Sequence, residues 1–474
     1  MKVQLFKNIE EEQVIDVTVY VTESLNSLPA MLYPYLEKYF EKKKNVVISI
    51  PTLEEPLVVA LILEKSEKES VNNEKARLVG NEILTSLKKE ECLTARIVST
   101  VEDEIALMVL EGMLLSDYHF TKYKTKEEDK KEKDIQIYTE IAEDKIIELV
   151  GLLETVAIAR NLVNEPPAVL TTTRFSEEIT NLGNRYGFDV NVLSKSQIKK
   201  LRMGGLLGVN AGSDVPPTFN ILTWRPQDAK NQQPYIFVGK GVVYDTGGYN
   251  VKPGSYMDTM KSDMAGAAAV VGLLCAVAQN KLPIHVIGLI PATDNRINSN
   301  AFVSDDVLTM MNGTTVEVKN TDAEGRLILA DALVYAQNLN PKIVIDLATL
   351  TGAAARVTGH YGSAFMGNAP EEIKQSLKQS GEMVFERLAE LPFWDEFAED
   401  LESPIADIKN LGKPEGGASS AGKFLEHFTN YPWLHIDIAG TAFLTAPYKY
   451  FKAGATGVGI RLLYHFLKKE ENIL

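Results

Sequence analysis

The chain is poor in the residues that most often announce chemistry. It has two cysteines, Cys92 and Cys275, in 474 residues. That excludes a disulfide framework and fits a reducing compartment. There are six histidines, with neither an HExxH pair nor a CxxC. A metal site would therefore rest on carboxylate and amine ligands rather than imidazole or thiolate. Residues 1–7, MKVQLFK, lack the apolar core of a signal peptide. The longest obvious apolar run near them, residues 57–63, is far too short to span a bilayer. Positive charge is also in deficit, and the formal charge of −15 repels nucleic acid and anionic membranes as a whole. A soluble cytoplasmic protein is the expectation. Three glycine signatures are missing as well. Gly239-Lys240-Gly241 lacks the GxxxxGK[ST] spacing of a phosphate loop, and Tyr244 stands where GxGxxG needs its last glycine. No GxSxG elbow supports a serine hydrolase.

What is present is an ordinary globular balance, 45 % hydrophobic and 24 % charged, in a chain long enough for two or three domains. Residues 1–139 mix short apolar runs with helical stretches and carry no chemical motif, which predicts a smaller α/β N-terminal domain. The mixed charge run of residues 123–134 reads as a solvated surface excursion. Residues 140–164 turn helical, with Ile146, Leu149, Leu152, Leu153, Val156 and Ala157 at steps of three and four. Pro166-Pro167 stops that helix, which reads as a linker into a domain over residues 165–474. There, strand candidates at 235–238, 284–290, 315–318, 343–347 and 434–438 alternate with helix candidates at 265–279 and 327–337. This α/β order predicts a mostly parallel sheet covered by helices, with ligands beyond the carboxyl ends of its strands. Gly204-Gly205-Leu206-Leu207-Gly208 is read as a flexible turn.

Three segments of the second domain gather charge. The first runs VGKGVVYDTGG from Val238 and on to Lys252-Pro253; the second is MDTMKSDM, residues 257–264; the third is NTDAEGR, residues 320–326. Each of four carboxylates among them, Asp245, Asp263, Asp322 and Glu324, is by itself more commonly a helix cap. Four of them converging in a sheet-end cleft would repel one another unless cations neutralise them, and two divalent ions match that charge. Zinc, manganese or magnesium suits such oxygen ligands, and paired ions are a recurrent hydrolytic device.

At this point the residues resemble the leucyl aminopeptidase (cytosol aminopeptidase) family. NTDAEGR is highly specific, and NLVNEPP, MKSDM, DLATLTGA and HIDIAGTA extend the resemblance from about Ala159 to the C-terminus. The resemblance implies a two-metal exopeptidase that removes leucine and other apolar residues from peptides with a free N-terminus. It makes Lys240, Asp245, Asp263, Asp322 and Glu324 the ligands of two zinc or manganese ions. Lys240 would ligate as a neutral amine. Lys252 would polarise the scissile carbonyl, and Arg326 would hold a bicarbonate acting as general base toward a metal-bridging water. The side-chain pocket maps onto Met260, Thr349, Gly352, Ala439 and Ala442, and the assembly implied is a homohexamer. Thr246, Tyr249, Asn250 and Gly254-Ser255-Tyr256 depart from the usual pattern near the site without removing a ligand. Two alternatives stay open: a specialised dipeptidase, for example for cysteinyl-glycine, and a DNA-binding regulator, against which the acidic balance speaks.

Overall fold

A computed structural model describes residues 1–5, 15–51, 56–126 and 136–473. Most of the charged run read as a surface excursion lies outside the described residues. The chain divides into two compact units. The first comprises Met1–Glu154 with Met383–Phe385 and Thr445–Ala453, and the second holds the remainder. The division falls inside one continuous helix, Glu143–Asn164.

The first unit is built on β1 (Lys2–Leu5), β2 (Val17–Thr22), β3 (Val46–Ile50), β4 (Leu57–Leu61), β5 (Thr94–Ser99) and β6 (Gln136–Thr139). They form one sheet in the order β1-β6-β5-β2-β4-β3, parallel except where β3 meets β4. Alternation decides what each face buries. Val17, Val19 and Val21 of β2 join Val58 and Ala60 of β4 in one cluster with helices Glu69–Lys89 and Asp103–Ser116. Leu57, Val59 and Leu61 face a second cluster with Leu32 and Leu36.

The second unit centres on a nine-stranded sheet. Its strands are β7 (Asp189–Leu193), β8 (Thr218–Trp224), β9 (Tyr235–Gly239), β10 (Gly241–Asp245) and β11 (Val286–Asn295), followed by β14 (Ile343–Ala348), β15 (Ser363–Gly367), β16 (Leu388–Glu390) and β18 (Trp433–Asp437). The order is β16-β15-β18-β14-β9-β11-β8-β7, with β10 beside β11. The central strands β18, β14, β9 and β11 are parallel, and β8 and β15 run against them. Ile236 and Val238 face helix Glu324–Gln337 through Leu327 and Ile328. Gly239 backs against Ala267 of helix Ala265–Gln279 on the other face.

Helix Ala265–Gln279 coincides with its predicted span. Helix Glu324–Gln337 begins three residues earlier than its apolar periodicity shows, because its first turn is charged. The expected strand at 315–318 does form, as β13 (Thr315–Glu317), but in a separate three-stranded sheet with β12 (Val307–Thr309) and β17 (Ile408–Lys409). The glycine-rich 204–208 segment is not a turn but the helix Gly204–Val209. A Cβ on Gly205 would lie 2.2 Å from the carbonyl oxygen of Leu327. Gly205 thus serves close approach to helix Glu324–Gln337, while Gly204 and Gly208 lie against Thr309 and Leu308 of β12, a tertiary demand that turn composition cannot disclose. Among the described residues one stretch, Met260–Gln279, is long and apolar enough to cross a membrane, but nearly all of it is buried within the protein.

Candidate metal centre

The sheet delivers the charged residues to one edge. Strand β11 pairs in parallel first with β9 and then with β10, so these two are one strand interrupted at Lys240. At the break, the backbone N–H of Lys240 donates to Leu347 and its carbonyl accepts from Ala267. The strand expected at 235–238 forms as β9, and β10 carries the extended chain on to Asp245, its last residue. Asp263 sits in the short turn Met260–Met264 that leads into helix Ala265–Gln279, and Glu324 is the first residue of its helix. Both carboxylates thus face a helix N-terminus, whose partial positive charge favours them.

The side chains meet in two groups. Lys240 Nζ lies 2.7 Å from Asp263 Oδ1 and 2.9 Å from Glu324 Oε1. It also donates to the carbonyl of Thr349 at 3.1 Å, while the Thr349 hydroxyl donates to Asp263 at 2.7 Å. Room for the lysine comes from Gly325, where a Cβ would lie 2.4 Å from Lys240 Cε. Lys252 Nζ lies 2.7 Å from Asp245 Oδ2 and 2.6 Å from Asp322 Oδ1. The other oxygen of Asp245 accepts from Gly247 N at 2.8 Å and Asn295 Nδ2 at 2.9 Å.

Four carboxylates here meet two lysines, so negative charge is in excess. Burial lowers the proton affinity of Lys240, but Asp263, Glu324 and Asp245 outweigh it and the balance is upward. Lys252 shows the same contest, won by Asp245 and the other carboxylates. Asp322 is pushed up to about 7, by burial first and then by Asp245 and Glu324. Asp263 is raised for similar reasons. Asp263 Oδ2 and Glu324 Oε2 are buried without a hydrogen-bond partner. One oxygen each of Asp245, Asp322 and Glu324 lies within 4.8 Å of the others, close enough for one cation to touch all three. Orphaned oxygens, excess charge and clustered acids fit a divalent-cation site. Lys240 joins such a site as a ligand only by giving up a proton that the carboxylates otherwise hold on it.

Arg326 lies on the same helix as Glu324, buried, with Nη1 donating to the carbonyl of Asn410 at 2.8 Å. Its Nε has no hydrogen-bond partner among the described residues. Burial pulls the guanidinium down to about 10, which leaves it cationic at neutral pH. Of the expected pocket residues, Thr349 touches the centre directly. Met260 opens the turn that carries Asp263. Gly352 starts helix Gly352–Thr358 and has open space where a side chain would stand. Ala439 is half-buried just past β18, and Ala442 is buried.

Several supporting residues escaped the sequence reading. Asn295 ends β11 and fixes Asp245. Asn410 is fully buried and brackets the Asp322 loop: its Oδ1 accepts from Lys319 N at 2.7 Å, and its Nδ2 donates to Asn320 O at 2.8 Å. Asp437 ends β18 and accepts from Leu350 N, Thr351 Oγ1 and Ala439 N. A polar residue at a strand end is the only sequence signal for them, and it is a common one.

An acidic, lysine-bearing centre at the carboxyl ends of a parallel sheet defines a class of metal-site α/β proteins. The catalytic-domain model of the cytosol aminopeptidase family matches residues 157–464. The chain belongs to the cytosol aminopeptidase family, and with it to the peptide hydrolases that act as aminopeptidases. It is 39 % identical over 423 residues to a protein of Geobacter sp. (strain M21) named "Probable cytosol aminopeptidase", covering 86 % of this chain and 85 % of that one. A protein of the same name from Aquifex aeolicus (strain VF5) is 37 % identical, with 91 % and 88 % covered. Among solved structures, "Bottromycin maturation enzyme BotP in complex with Mn" superposes with a TM-score of 0.86 at 28 % identity, covering 97 % of this chain and all of that one.

Proposed function

We propose that this chain is a two-metal aminopeptidase that cleaves leucine and other apolar residues from the free N-termini of peptides. The observation that carries the reading is the gathering of Asp245, Asp263, Asp322 and Glu324 around two lysines, with two buried carboxylate oxygens left over. Lys240, Asp245, Asp263, Asp322 and Glu324 would hold two divalent ions, zinc or manganese. The manganese named for the similar solved structure supports this. When bound, the ions supply Lewis acidity, an anchor for the free α-amine and a lowered pKa for water.

The chain's own residues do the rest. Lys252 stays cationic among Asp245 and Asp322 and offers its ammonium to the oxyanion that develops on the scissile carbonyl. Arg326 presents an unpartnered N–H in a buried setting, which suits it to hold a small anion. A bicarbonate there would supply a general base. Met260, Thr349, Gly352, Ala439 and Ala442 would line the pocket for the N-terminal side chain. Their small or apolar character favours leucine and methionine. The working protein would be a cytoplasmic homohexamer acting on peptides, with no part for membrane or nucleic acid.

The test compares a leucine-initiated peptide with its N-acetylated form, before and after chelation and metal return. Cleavage confined to the free peptide and to the metal-loaded protein is expected. Equal cleavage of both peptides would make the protein an endopeptidase or amidase.

A further inference from the structure

The loop between Asp245 and Pro253 carries Lys252 and is fastened mainly from outside. Within it, Lys252 N donates to Thr246 O at 3.0 Å. Its outer turn is clasped to the Asp322 loop by a reciprocal set of bonds. Asn250 N donates to Thr321 Oγ1 at 2.8 Å, and Thr321 N donates to Asn250 Oδ1 at 2.8 Å. Thr321 Oγ1 in turn donates to Gly247 O at 2.6 Å. Asn250 Oδ1 also lies 3.0 Å from Thr321 Oγ1, but that hydroxyl has one proton, and the shorter contact takes it. Ser304 Oγ donates to Asn250 Oδ1 at 3.2 Å. Asn250 stands two residues before Lys252, and Thr321 one residue before Asp322. Across this joint Lys252 Nζ meets Asp322 Oδ1.

We propose that Asn250 is a positioning residue whose side-chain oxygen, clasping Thr321, fixes the loop that aims Lys252 at the reacting carbonyl. The inference rests on the oxyanion role proposed above for Lys252. A lysine ammonium sits on a flexible four-carbon stem, so its aim depends on where the backbone holds the stem's root. Losing the Asn250 acceptor leaves Thr321 N without its partner and loosens the joint, which then rests on Asn250 N to Thr321 Oγ1 and Thr321 Oγ1 to Gly247 O. Asn250 is exposed, so its removal vacates no core.

The test uses the metal-loaded protein and a leucine amide, with Asn250→Ala, Asn250→Asp, Lys252→Ala and the double variant Asn250→Ala/Lys252→Ala. Asn250→Ala should lower kcat about 10- to 100-fold, the scale of a misaimed catalytic group, with KM and bound metal unchanged. Asn250→Asp keeps the acceptor oxygen and should recover most of the rate. Asn250→Leu, close to Asn in size, should repeat the alanine result without opening a space. The double variant should be no slower than Lys252→Ala, because the clasp works only through that lysine. Additive losses in the double variant would overturn the proposal, as would an unchanged kcat in Asn250→Ala. Metal loss in Asn250→Ala would also overturn it, making the clasp a support for Asp322. If Lys252→Ala alone kept its kcat, the role of Lys252 would fail and the clasp's purpose with it. A slow Lys252→Ala beside a normal Asn250→Ala would sink only the clasp.

Discussion

Both units bury charge, but they balance it differently. In the first, Arg77 pairs with Glu111 at 2.7 Å and approaches Glu74 at 3.5 Å, and Lys449 takes Glu74 at 2.7 Å. Among these four side chains, two cations answer two anions. In the second, two lysines face four carboxylates, and two buried oxygens go without a partner. A balanced buried cluster specifies packing, whereas an unbalanced one calls for a cation from outside. A third arrangement sits nearby in the second unit. Asp331 pairs with no cation among the described residues and instead accepts the backbone N–H groups of Leu206 and Met311, each at 2.9 Å.

The contrast can be broken most sharply at Asp245. Asp245→Asn removes one of the unbalanced charges and should cut turnover of a leucine amide by more than about 10³-fold, with bound metal reduced and the fold intact. Two full equivalents of tightly held metal in that variant would remove Asp245 from the ligand set. The next effect in size belongs to Asp331. Burial lifts its carboxyl to about 7, against the pull of the backbone amides. Its folded value lies above the unfolded one, so the folded state holds the proton more tightly. Stability from this group is complete below about pH 4 and is lost as pH rises through about 7, a change of about 4 kcal/mol. Urea melts of the metal-free protein between pH 4.5 and 8 should show wild type losing stability relative to Asp331→Asn. Parallel curves would contradict it.

In the balanced cluster, Glu111→Gln should cost stability and spare chemistry. The melting temperature should fall in line with about 1.5–3 kcal/mol for a lost charged hydrogen bond, with kcat/KM per folded molecule unchanged. A specific loss of activity would show that the first unit's charges do more than pack. The smallest effect sharpens the pocket. Ala442→Met should lower kcat/KM for phenylalanine and methionine amides more than for alanine amide, by about 1–3 kcal/mol of discrimination. An equal loss on all substrates with a lower melting temperature would make Ala442 a packing position.

Much of the second unit was legible in the sequence because its elements announce themselves locally. The alanine-rich run of 265–279 is apolar on every side and could only be a buried helix. The chemistry-bearing residues were legible because carboxylates and lysines beside glycines are costly to bury without a purpose. The supporting shell was not. Asn295, Asn250 and Asn410 are ordinary polar residues until the fold sets them against Asp245, Thr321 and Asn320.

By itself, then, the sequence determined the alternation of strands and helices in the second unit, the acidic lysine-bearing motifs and the family they belong to, since each rests on neighbours within a few residues. Only the tertiary structure decided that Lys240 interrupts a single long strand and that β13 leaves the main sheet. It alone set Gly205 against helix Glu324–Gln337 and clasped the Lys252 and Asp322 loops together. Those outcomes depend on contacts between residues far apart in the chain, 51 positions for Gly241 with Ala292, 71 for Asn250 with Thr321 and 92 for Val316 with Ile408. No local pattern encodes such contacts, because their partners meet only in the folded chain.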